Sequence, residues 1–139
     1  MLVDDTNFPV VRMHYNRADD RGDSVSFEIF EGLLARRKSF VLIGLGTESD
    51  KVQSNEDRKR LTLWMKRNRT ALHRHVLAMV YVEPSPANRF LAKRAAPVFQ
   101  KFWGYPMLVV ASEVAADAVA ARLLAGTQVA EIEAERANG

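Results

Sequence analysis

Few residues in this chain could do chemistry, and they are scattered. There are three histidines and no cysteine, which removes thiol nucleophiles, thiolate metal ligands and disulfides together. His73 and His75 form a His-x-His pair, but a zinc site needs three or four ligands and no third stands beside them. Imidazoles at a helix C-terminus are favoured by the helix dipole alone. A Ser-His-Asp set could be drawn from these parts, yet no Gly-x-Ser-x-Gly elbow exists to present the serine. Asp19 and Asp20 could meet a divalent cation, and more simply are solvated loop acids. Gly44-Leu45-Gly46-Thr47 follows a strand-like run, but lacks the third glycine of a dinucleotide fingerprint and the Lys-Ser/Thr pair of a P-loop. The residues therefore assemble no catalytic set, cofactor motif or metal site.

What remains is charge. The chain has 139 residues and a net charge of +3, unevenly spread. Residues 1–50 hold 9 acids and 6 bases, residues 51–101 hold 3 acids and 12 bases, and residues 102–139 hold 5 acids and 2 bases. Such a basic middle attracts nucleic acid, anionic lipid or an acidic protein, or is simply a solvated face. Its centre is a run from Ser54 to Arg74 that reads as a helix, with Ser54 and Asp57 in the positions of a capping box. At 100° per residue, Leu61, Trp64, Met65, Asn68 and Leu72 gather on one side and should face a sheet. Lys59, Leu63, Lys66, Arg67 and Arg74 stand opposite. A leucine set in a basic ridge is what a partner surface would look like. Trp64 falls on the inner side, which leaves no aromatic platform for bases.

The elements that must position this helix can be read in order. Phe8–Tyr15 suggests a strand, opened by Pro9. Ser24–Lys38 is a helix with Phe27, Phe30, Leu33 and Leu34 inward, capped by Asp23 or Ser24. Phe40–Leu45 is a short apolar strand buried on both faces. Val76–Val82 is the next strand, and Glu83-Pro84-Ser85-Pro86 is a turn. A helix over Ala87–Trp103 places Leu91, Ala95, Val98 and Phe102 on one stripe, with Pro97 expected to kink or divide it. Tyr105–Ala111 is a strand, and Ser112 caps a last helix, Glu113–Leu124, with Val114, Ala118, Ala121 and Leu124 inward. The order β-α-β-α-β-α-β-α predicts an α/β fold: a mostly parallel sheet of four strands, or five, covered by helices. Residues 1–126 form a single domain, and residues 127–139 a helical extension or a frayed tail. No apolar run approaches the ~20 residues of a membrane helix, and Met1-Leu2-Val3-Asp4-Asp5 has no signal-peptide pattern. A cytoplasmic location is expected.

The stretch Arg36–Leu124 resembles the STAS-like, SpoIIAA-like group of small bacterial domains, related in fold to anti-sigma-factor antagonists. The likeness is carried by Phe40–Leu45, by the helix with Leu61-Thr62-Leu63-Trp64-Met65-Lys66-Arg67-Asn68-Arg69, and by Val76–Val82. Asn88-Arg89-Phe90-Leu91, Trp103 and Glu113–Leu124 complete it. That family opens with a β-hairpin, whereas one strand is read here before the first helix. Its antagonists carry a phosphorylatable serine at the start of the helix after a central strand. Ser49 and Ser54 are the candidate phosphoacceptors in that neighbourhood, without the usual Asp-Ser context, and Ser54 also suits an N-cap. The resemblance implies a non-catalytic module that binds a protein, or a lipid or other small apolar ligand.

Three functions follow in order. The first is a regulatory or scaffolding module acting by protein–protein contact through Lys59, Leu63, Lys66, Arg67 and Arg74. The second is binding of anionic lipid or nucleic acid through the same ridge. The third is a small-ligand site or enzyme at the strand ends near Gly44, Gly46, Glu83 and Ser112. A homodimer through the Ala-rich last helix and tail is also open.

Overall fold

The computed structural model describes residues 1–17, 19–22, 24–46 and 55–138. The elements are β1 (Leu2–Asp4), β2 (Val10–His14), α1 (Val25–Ala35), β3 (Phe40–Leu45), α2 (Asn55–His75), β4 (Val76–Val82), α3 (Pro86–Trp103), β5 (Met107–Val110), α4 (Glu113–Leu124) and α5 (Val129–Asn138). The five strands form one sheet in chain order. β1 runs antiparallel to β2, and β2 to β5 are parallel. The fold is therefore α/β with a mostly parallel sheet, as the alternation of elements predicts.

Because each crossover steps the same way along the sheet, right-handed connections put α1, α2 and α3 on one face. Burial agrees. Phe30, Leu33, Trp64, Met65 and Leu72 pack with Phe40, Leu42 and Met79 in one layer. Ala116, Val119, Leu123 and Ile132 pack with Ile43, Val80 and Val110 in the other. β3 lies between the two layers and is buried from Phe40 to Gly44.

β1 is the element that sequence patterning missed. Three residues are too few for an alternation to register. It pairs antiparallel with β2, Leu2 opposite His14 and Asp4 opposite Arg12, and Val3 is buried in the first core layer.

The inward faces of α1 and α2 match expectation, with Phe30, Leu33, Leu34, Trp64, Met65 and Leu72 buried. Ser24 holds the N-cap position of α1 without a side-chain cap hydrogen bond, and Asp23 lies outside the described residues. Two other helices are rotated from their expected faces. In α3, Leu91 and Val98 are exposed and Ala95 with them, while Ala92, Ala96, Phe99 and Trp103 turn toward the sheet. Aromatic contacts set that rotation: the Phe99 ring lies 5.6 Å from Tyr105, and Trp103 lies 6.2 Å from Tyr105. The small Ala92 and Ala96 let the helix approach β5. Pro97 does not divide α3, because it lies on the solvent side, where water can satisfy the carbonyl its ring leaves free. In α4, Ala116, Val119, Ala120 and Leu123 are buried. The expected Val114, Ala118, Ala121 and Leu124 are exposed. The tail is helical as α5, anchored by Ile132, which is 1% exposed. Arg136 of α5 also donates to the Val109 carbonyl of β5 at 2.9 Å.

Candidate partner-binding face

α2 sits over the middle of the sheet and is fixed from both sides. Toward α1, the Trp64 indole N–H donates to Glu31 Oε1 at 3.0 Å, and its ring lies 5.4 Å from Phe27 and 6.0 Å from Phe30. Toward α3, Arg69 donates to the carbonyls of Phe102 (2.7 Å) and Lys101 (2.9 Å). The His73 Nδ1 lies 2.7 Å from the Gly104 carbonyl. These groups meet the negative end of α3, where free carbonyls and the helix dipole favour cations. Arg69 and His73 therefore fasten α2 to the C-terminal end of α3. Among the described residues no group of three His, Asp or Glu could hold a metal.

With those contacts made, the outward side of α2 is left to solvent. Lys59, Leu63, Lys66, Arg67 and Arg74 are all exposed, and Leu63 keeps 59% of its surface. The structure brings these five together on one crest, as the sequence spacing predicts. Among the described residues none of the four cations has an acid within ion-pair range. A shallow depression lined by Arg58, Lys59, Thr62 and Leu63 lies at the N-terminal end of the crest. Ser49 and Ser54, the candidate phosphoacceptors, lie outside the described residues.

The strand C-terminal ends carry packing and capping contacts. A Cβ on Gly44 would sit 3.0 Å from ring carbons of both Tyr15 and Tyr81. Glycine there lets the two rings approach to 6.3 Å. Gly46 has φ +80, and a Cβ there would meet the Asn16 side chain at 2.5 Å, so the strand exit needs glycine twice over. Glu83 is buried and accepts from the Ser85 N–H at 2.9 Å. Arg89 donates to the carbonyls of Glu83 and Pro84. Ser112 accepts from Ala115 N–H at 3.2 Å as an N-cap. Asp19 is held by Arg21 through Nε at 3.0 Å and Nη2 at 2.9 Å, which keeps its carboxyl below the usual aspartate range.

One surface escaped the sequence reading. Phe90 (61% exposed), Leu91 (61%) and Val98 (73%) project from α3, with Arg94 and Lys101 also exposed on that helix. The available signal was a second apolar stripe through Ala92, Ala96, Phe99 and Trp103, which competes for the core. No protein-family model, curated protein or solved structure matches this chain.

Proposed function

We propose that this chain is a non-catalytic regulatory or scaffolding module, STAS-like in kind, that works by protein–protein contact through the outward face of α2. One observation carries the reading: Lys59, Lys66 and Arg67 stand exposed around Leu63, with Arg74 three turns along the same side, and no acid of the described chain lies within ion-pair range of them. Charges left unneutralised around an apolar residue suit an acidic partner surface, whose complementarity steers encounter and fixes register. The family resemblance gains support from the antiparallel β1–β2 pair, since that family opens with a hairpin. A cytoplasmic site of action belongs to the same reading. The small-ligand alternative has little to build on, because Glu83 is engaged in the turn before α3 and Ser112 caps α4.

Lys66→Glu combined with Arg67→Glu tests this. Like charges set against each other at an interface cost several kcal/mol, so capture of the protein partner in a pull-down should fall by about tenfold or more. Circular dichroism and the melting temperature should not change, since both side chains are exposed. Undiminished capture by a folded double variant would remove the ridge from the interface.

A further inference from the structure

α3 has no buried residue and no acid. Its inner stripe is small or aromatic, and its outer stripe is apolar again. At 100° per residue, Phe90, Leu91, Arg94, Val98 and Lys101 fall within about 100° of arc on the side away from the sheet. A chain rarely keeps three large apolar side chains 61–73% exposed on one helix crest without a use for them.

We propose that this crest is a peripheral membrane-contact site for a bilayer bearing anionic phospholipid, a second contact surface beyond the protein-binding ridge of α2. Charge supports that occupant. α3 carries Arg89, Lys93, Arg94 and Lys101 with no acid, and the neighbouring α2 adds seven Lys or Arg against Glu56 and Asp57. Helices α4 and α5, on the opposite face of the sheet, carry five acids against Arg122 and Arg136. The molecule therefore has one side that an anionic surface attracts and one that it repels.

Shape supports it as well. Leu63 and the α3 residues are crests directed away from the same sheet face, and a planar partner can touch both. The groove between the two helices is closed at one end by Arg69 and His73 reaching Lys101, Phe102 and Gly104, which leaves a docked helix little room there. Nucleic acid is a poorer occupant, because Phe90 is the single aromatic on the crest, its ring already faced by the Arg94 guanidinium at 5.8 Å, and Leu91 and Val98 offer no face for a base to stack on. A second copy placed crest to crest would oppose cations with cations. In the bilayer, Phe90, Leu91 and Val98 enter the headgroup boundary while Arg94 and Lys101 extend to phosphates, their stems lying along the apolar layer. A bilayer on this crest also covers the α2 ridge, so vesicles and the protein partner should exclude one another.

The absence of cysteine gives a clean experiment. Val98→Cys carries one polarity-sensitive fluorophore, and Ala118→Cys carries the same label on the exposed side of α4, across the sheet. Each is titrated with phosphatidylcholine vesicles with and without phosphatidylserine. The label at 98 should brighten and shift to the blue with phosphatidylserine vesicles only, and the label at 118 should not respond. Neutralising Arg94 and Lys101 to Gln should weaken binding about fivefold for each cation removed. Salt near 1 M, where charges are screened beyond about 3 Å, should weaken it strongly by removing the ionic part of the attraction. No response at 98, an equal response at 118, or a response to a single-stranded oligonucleotide but not to vesicles would each overturn the proposal. Intact partner capture with no vesicle response defeats this inference alone. Vesicle binding with capture unaffected by Lys66→Glu and Arg67→Glu defeats the protein reading alone.

Discussion

At Gly44 an added methyl group would lie 3.0 Å from Tyr15 and Tyr81 ring carbons and 3.1 Å from the Met79 sulfur. At Gly32, in α1, nothing lies within 4 Å of the same methyl. One substitution should therefore act with opposite sign at the two sites. Gly32→Ala should stabilise by about 0.5–1 kcal/mol, the helix cost of glycine. Gly44→Ala must push two rings aside in a buried strand, and should destabilise by about 1–3 kcal/mol as overpacking does. Urea melts of the two variants check this, and a stabilised Gly44→Ala would mean that the rings have free space beside them. In sequence, Gly44-Leu45-Gly46 lacks the pattern of a phosphate loop and suits a tight strand exit. The φ of +80 at Gly46 agrees with that exit, and the close packing of Tyr15, Tyr81 and Asn16 gives both glycines a structural reason.

Among the elements, α5 is the one whose attachment can be taken apart. Ile132 is 1% exposed in the second core layer. Across the helix, Glu135 accepts from Arg122 of α4, with one bond at 3.0 Å. That bond holds the Glu135 carboxyl below the usual glutamate range of 4.5. A carboxyl depressed in the folded state stabilises the fold above its unfolded pKa, and that contribution is lost as pH falls through the folded value. Amide exchange over Val129–Asn138 should therefore speed up, relative to the sheet, as pH drops below about 4.5. Glu135→Gln should remove that pH dependence. Ile132→Ala should cost about 2–4 kcal/mol at every pH, because it opens a cavity. Exchange that keeps its pH dependence in Glu135→Gln would place the titrating group elsewhere.

Element order, the two central strands and the inward faces of α1 and α2 were legible in sequence, because Phe30, Leu33, Trp64, Met65 and Leu72 have no rival stripe on their helices. α3 and α4 were not. Both carry alanines on several sides, so apolar spacing fits more than one rotation. Phe99, Trp103 and Tyr105 decided one of these rotations, and Val119 with Leu123 the other. The ridge on α2 was legible as a cluster because Trp64 and Met65 fixed the inner side of that helix. The α3 crest is hidden in sequence because the spacing of Leu91, Ala95, Val98 and Phe102 fits a core-facing stripe as well as that of Ala92, Ala96, Phe99 and Trp103.

The whole molecule is polarised across its sheet, with a basic α2–α3 side bearing exposed Leu63, Phe90, Leu91 and Val98 and an acidic α4–α5 side. This sets how copies of the chain should treat one another. Two crests brought together would bury apolar surface but oppose cations, and at about 0.15 M salt charges still act over roughly 8 Å. The chain should therefore run as a monomer in size-exclusion chromatography with light scattering under those conditions. At 1 M salt the range shrinks to about 3 Å, the apolar term remains, and weak association should appear. Val98→Asp should suppress it. Vesicle binding should move the opposite way, weakening as salt rises, so the two measurements separate apolar from ionic attraction at one surface. A dimer seen at low salt and lost at high salt would instead report basic-to-acidic stacking between neighbours, a head-to-tail contact that need not close. A dimer indifferent to both salt and Val98→Asp would point to the outward side of α4, where Val114 is 81% exposed, and would restore the contact that the Ala-rich last helix suggests.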